Sequence, residues 1–175
     1  MAVLSVRRYG DPVLRRRARP VDEVTLEIER LVDDMIDTMY DEVGIGLAAP
    51  QVGASLRLMV VADEDGRGAQ ALVNPVIVEQ GGSVTAEEGC LSLPGIFAPV
   101  TRAEWVRLEA RDLTGRPVSL RARHLRARVF QHEIDHLDGV LFIDRVDAVT
   151  RDRIKRRIKK QGFAADAAAH RAFAL

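Results

Sequence analysis

Residues 131–136, QHEIDH, set two of the chain's four histidines four positions apart, with a glutamate directly after the first. On an α-helix, residues at that spacing lie one turn apart on the same face. His132 and His136 then project together, and two imidazole nitrogens can converge on one cation with bonds of about 2 Å. Glu133 falls about 100° around the helix from His132. It can lean over the cation without ligating it, which suits a general base acting on an activated water. The bland alternative is a helix surface that happens to carry polar residues. The flanking pattern fits a helix from about Arg123 to Leu137: Leu125, Val129, His132 and His136 form one stripe, and Gly139 closes it.

A catalytic cation site needs a third protein ligand and an open position. Downstream lie Asp138, Asp144, Asp147, Asp152, Asp166 and His170, none at a familiar spacing. Upstream lies Cys90, the one cysteine, in EEGCLSLPG. A lone cysteine is commonly a small buried hydrophobe, but Gly89, Ser92, Pro94 and Gly95 give this stretch the composition of a tight turn. A single cysteine excludes an internal disulfide framework and fits a reducing compartment.

The rest of the chain reads as one domain over residues 1–175. Helical spacing of Ile28, Leu31, Val32, Met35, Ile36 and Met39 predicts a helix over 25–41, stopped by Gly44 and Gly46. Residues 57–63 and 71–79 read as strands. WVRLEARD, 105–112, alternates as a half-buried strand, and LTGRP turns it into PVSLRA as a hairpin. GVLFID, after Gly139, reads as an apolar strand, and Phe97 and Pro99 fall in a loop after EEGCLSLPG. A last helix is expected at about 148–160, with an Ala-rich, fraying tail at 161–175. The fold class is therefore α+β: mixed or antiparallel strands around a central helix bearing HExxH, with a C-terminal helix. Acidic and basic residues balance at 26 each, which gives no reason to expect DNA binding. No stretch reaches membrane-spanning length, and the N-terminus lacks a signal-peptide core.

GIGLAAPQVG at 44–53, EEGCLSLPG at 87–95 and QHEIDHLDGVLFIDR at 131–145 together resemble the three signature motifs of the peptide deformylase family, in its order. YGDPVLRRRARPV also resembles the family, so the match covers most of residues 1–160. The resemblance implies a hydrolase that removes the formyl group from the N-terminal formyl-methionine of newly made polypeptides in the bacterial cytoplasm. It implies one divalent metal on Cys90, His132 and His136, natively Fe2+, with Zn2+, Ni2+ or Co2+ also accepted; the donor set alone points to zinc. It further implies Glu133 as the base, Gln51 and the backbone N–H of Leu91 as donors to the formyl oxygen, and Ile45, Gly46 and Gly89 against the substrate main chain. Leu125 and Val129 are candidates for the methionine slot, or else ordinary core. Glu88, Arg102 and Asp135 are candidates for a network supporting the histidines. RDRIKRRIKK, 151–160, with seven basic residues and one acid, is either a solvated helix face or a contact with ribosomal RNA. Three rivals stand beside this reading: a zinc endopeptidase using HExxH, a non-catalytic metal-binding module, and a hydrolase with Cys90 as nucleophile.

Overall fold

A computed structural model describes residues 2–163. Helix α1, Leu26–Asp41, begins at Thr25, whose hydroxyl accepts from the backbone N–H of Ile28, with Glu27 and Glu29 in the first turn, where the helix dipole favours anions. Its apolar face buries Val32, Met35 and Met39 against Leu47, Leu58, Val60 and Val73. Gly44 and Gly46 are the stop expected from the sequence. The chain in fact leaves the helix through Val43, at φ 57°, while the Gly44 N–H bonds the Met39 carbonyl and the Val43 N–H that of Tyr40. This is a Schellman closure with valine at the position that usually takes glycine.

Five strands form one antiparallel sheet in the order β1-β2-β3-β6-β7: β1 Gly46–Ala48, β2 Leu58–Ala62, β3 Ala69–Gly81, β6 Trp105–Arg111 and β7 Pro117–Arg123. The alternation in β6 puts Val106, Leu108 and Ala110 inside. β4, Val84–Cys90, and β5, Leu93–Arg102, pair only with each other. Helix α2, His124–Leu137, lies against the larger sheet, with Ala127, Val129 and Phe130 packed on Met59, Leu72 and Leu108. Helix α3, Ala148–Gln161, is capped by Asp147 and rests on the β4–β5 side through Ile154. The fold is α+β, antiparallel within both sheets, around the helix that carries HExxH. Among the described residues no helix is long and apolar enough to cross a membrane.

Two expectations need correction. GVLFID is not a strand: Phe142–Asp144 form a 3-10 turn. Its continuous apolar run arises because Leu141, Phe142 and Ile143 all enter the core with Leu14, Val100 and Ile154, while Asp144 accepts from the Leu141 N–H. Phe97 and Pro99 lie on β5 rather than in a loop, Pro99 opposite Glu87; the two-stranded pair leaves proline an open edge. Of the expected fraying tail at 161–175, residues 164–175 lie outside the described residues.

Val43 offers a test of the helix closure. A left-handed, β-branched residue costs roughly 1–2 kcal/mol, and Val43 as a residue is 55% exposed, so little packing is lost by removing its side chain. After glycine's larger chain entropy is allowed for, Val43→Gly is expected to raise the unfolding free energy by about 0.5–1 kcal/mol in urea titration, at unchanged m-value. A lower midpoint would show that the valine contacts outweigh the strain.

Candidate metal centre and active site

β4 ends at Cys90 and α2 carries His132 and His136 on its inner face; all three side chains are buried. One donor atom from each lies within 4.8 Å of the others. Cys90 Sγ and His136 Nε2 are 3.3 Å apart, close to the separation of about 3.5 Å that two ligands with bonds of 2.0–2.3 Å take around a tetrahedral ion.

His132 is oriented from behind. Its Nδ1 lies 3.0 Å from Glu88 Oε2. A carboxylate only accepts, so the ring donates through Nδ1–H, and Nε2 is left buried with no hydrogen-bond partner among the described residues. A buried, unpartnered ring nitrogen beside a thiol is costly by itself and is what a cation would satisfy. The donor set fits a divalent metal. Burial by itself would pull the His132 imidazole down, but Cys90 and Glu88 outweigh it and lift it to about 10. His136 goes the other way, held well below its ordinary value by burial and by the neighbouring His132.

Glu88 is completely buried. Burial would raise its carboxyl, but His132 and Arg102 prevail and hold it below the usual carboxylate range. Arg102 grips it through Nε at 2.8 Å and Nη2 at 3.0 Å, and reaches Asp135 through Nη1 at 2.6 Å. These are the three residues expected to support the histidines. Two further arginines were not anticipated. Arg128 reaches Glu88 Oε1 at 2.7 Å, and Arg145 bonds Asp135 at 2.7 and 3.1 Å. Arg128 carried one legible signal: it sits one helical turn before His132, on the same inward face. Arg145 carried none beyond its place at the end of the third motif.

Glu133 is fully buried, neither carboxylate oxygen has a partner among the described residues, and burial foremost raises its carboxyl to about 7. Gly46 on β1 makes room for it: a Cβ there would stand 2.6 Å from Glu133 Oε1 and 2.9 Å from Val129 Cγ1. Gln51 is likewise fully buried rather than a solvated turn residue. Its Oε1 accepts from the Ala48 N–H at 2.8 Å. That fixes the amide so that Nε2 donates to Ser92 Oγ at 3.3 Å and faces Cys90 Sγ at 3.7 Å. Leu91 follows Cys90 in the turn between β4 and β5 and is buried, and Gly89 is buried just before Cys90. Ile45, Leu125 and Val129 line one cavity of about 540 Å³ together with Gly44 and Val61. Leu125 is 56% exposed at its rim and Val129 2% exposed at its floor. Gly46 lies close to both Val129, which lines that cavity, and Glu133, and Gly89 is not among the cavity's walls.

The sequence model of the family described as "Polypeptide deformylase" matches residues 3–152. The peptide deformylase of Alkalilimnicola ehrlichii is 49% identical over 162 residues, 91% of each chain. That of Halothermothrix orenii is 49% identical over 88% of this chain and all of its own. Among solved structures, a peptide deformylase from Legionella pneumophila superposes with a TM-score of 0.86 at 42% identity, covering 91% of this chain and 95% of its own. One from Synechococcus elongatus, in complex with actinonin, gives 0.84 at 42% identity, covering 94% and 90%. With its three motifs folded into one buried Cys-His-His centre, the chain belongs to the polypeptide deformylase family.

Proposed function

We propose that Cys90, His132 and His136 hold one divalent metal ion and that Glu133, Gln51 and Leu91 carry the hydrolysis. The chain is a metallohydrolase that removes the formyl group from the N-terminal formyl-methionine of newly made polypeptides and releases formate. The observation that carries the assignment of residues is the convergence of three donors within 4.8 Å beside a buried, unpartnered carboxylate. Native Fe2+ rests on the likeness to the family; the donors would equally accept Zn2+, Ni2+ or Co2+. The substrate, a nascent chain, puts the activity in the bacterial cytoplasm.

Bound there, a divalent ion supplies Lewis acidity, lowering the pKa of a water and polarising the formyl carbonyl. Glu133 takes a proton from the attacking water and returns it to the methionine nitrogen as the C–N bond breaks. Two donors meet the negative charge that builds on the formyl oxygen: the Gln51 amide and the Leu91 backbone N–H. Gln51 suits this because Ser92 Oγ takes one of its two amide hydrogens and the other faces the centre. β1 is the outer strand of its sheet, which supports the pairing of substrate main chain along Ile45 and Gly46, with Gly89 on the opposite side. The cavity between Ile45, Leu125 and Val129 takes the methionine side chain.

On α3, Ile154 is buried, while Arg153, Lys155, Arg156, Arg157, Lys159 and Lys160 are exposed. This supports contact with ribosomal RNA, where a cationic face meets phosphates. Reversing Arg156, Lys159 and Lys160 to Glu should abolish co-sedimentation with ribosomes at low salt while formate release persists. Co-sedimentation that survives the reversal removes the contact.

Formate release from a formyl-Met peptide, by anaerobically purified protein with metal analysis, tests the chemistry. Glu133→Ala should keep the metal and lose about 10²–10⁴-fold in kcat, the usual worth of a general base. Gly46→Ala, which pushes on Glu133, should lose up to about 10²-fold with the fold intact. Retained turnover in Glu133→Ala would remove it as the base, iron-free active protein would remove native iron, and metal-independent turnover would favour Cys90 as a nucleophile.

A further inference from the structure

The metal ligands come from two bodies with separate cores. Cys90 belongs to the apolar cluster of β4 and β5, with Leu93, Val100 and Phe142. The flanks of His132, through Ala127, Val129 and Phe130, pack on the larger sheet. Leu91, in the hairpin's turn, packs with the larger sheet's residues and Phe142 stacks on His132; beside these contacts, a polar seam joins the two bodies behind the ligands. Arg102 crosses it from β5 to Asp135 of α2. Arg128 crosses it in the opposite direction, from α2 to the hairpin. It is 6% exposed. Besides Glu88, it donates to the Val100 carbonyl on β5 at 2.9 Å and to the Val84 carbonyl on β4 at 2.8 Å.

The seam converges on Glu88, two residues before Cys90. A carboxylate has about four lone-pair sites, and all four are occupied. Oε1 accepts from Arg102 Nε and Arg128 Nη1, and Oε2 from Arg102 Nη2 and His132 Nδ1. Without Arg128, one site on Oε1 empties, the carboxylate can pivot about the Arg102 fork, and the strand carrying Cys90 loses two of its ties to the helix carrying the histidines.

We propose that Arg128 is a positioning residue of the metal centre: by filling the last site on Glu88 and binding both strands of the β4–β5 hairpin, it sets the separation of the Cys90 sulfur from the two imidazoles. This rests on the reading that these three side chains share a metal. It makes Arg128 a determinant of metal affinity and ligand geometry, with no contact to substrate.

Wild-type protein, Arg128→Met and Arg128→Lys, each loaded anaerobically with Co2+, provide the test. The methionine keeps length and removes the donors; the lysine keeps the charge and one point of contact. Loss of a group that holds a metal ligand in place typically weakens metal binding by about 10–100-fold, and that is the rise expected in the Co2+ dissociation constant of Arg128→Met by chelator competition. Its thiolate-to-cobalt charge-transfer band should weaken or shift, and kcat should fall while KM for a formyl-Met peptide stays within about twofold. Arg128→Lys should recover part of the affinity and the band. A folded Arg128→Met with wild-type affinity and an unchanged band overturns the proposal, even if its melting temperature drops. If Arg128→Met does not fold, Arg128→Lys decides: weakened binding with an altered band supports the role, and wild-type values for both overturn it. Wild-type protein that binds no Co2+ removes the metal reading itself, and this inference with it.

Discussion

A thiol at the end of a strand and two imidazoles on a helix can share one cation only if strand and helix are fixed against each other to within about half an ångström. That constraint shapes the interior of this protein. Apolar packing alone does not supply it, because the hairpin and the helix bury their apolar faces in different clusters. The fixing is done by a chain of polar side chains, buried at Asp135, Arg102, Glu88 and His132, with the exposed Arg145 joining at Asp135 and the buried Arg128 at Glu88.

Burying so many charges is unfavourable unless every one is paired and hydrogen-bonded. Here the pairing is close to complete: Glu88 has its full set of donors, and Asp135 is held between two arginines. Breaking such a network at one member costs about 3–5 kcal/mol, since it strands the remaining charge in a dry site. Among the described residues, three of the buried polar atoms left unpartnered are His132 Nε2 and the two Glu133 oxygens; the fourth, His136 Nδ1, lies across its ring from the Nε2 that faces Cys90. The unsatisfied His132 nitrogen and Glu133 carboxylate mark where chemistry is done, and the satisfied network behind them marks what holds them there.

Much of this was legible in the sequence where a period was clean. The 3.6-residue repeat gave α1 and α2, the alternation of Trp105–Arg111 gave β6, and the four-residue step from His132 to His136 gave the ligand pair. The hairpin β4–β5 was not legible. Val84, Thr85 and Glu87 face solvent, so the strand has no apolar alternation, and its Gly89-Cys90 end has turn composition. GVLFID misled for the converse reason, as three successive apolar residues enter the core from a 3-10 turn. The closure of α1 on Val43 could not be read, because glycine is the residue that ordinarily signals it. Arg128 lies between two motifs, and only the fold brings it to Glu88.

The central claim is that one sulfur and two imidazole nitrogens bind a single ion. X-ray absorption at the metal edge of the loaded protein measures that directly. The account predicts one sulfur at about 2.3 Å and two imidazole nitrogens at about 2.0–2.1 Å, with the sulfur lost in Cys90→Ala. A metal shell containing only nitrogen and oxygen in the wild-type protein would contradict it.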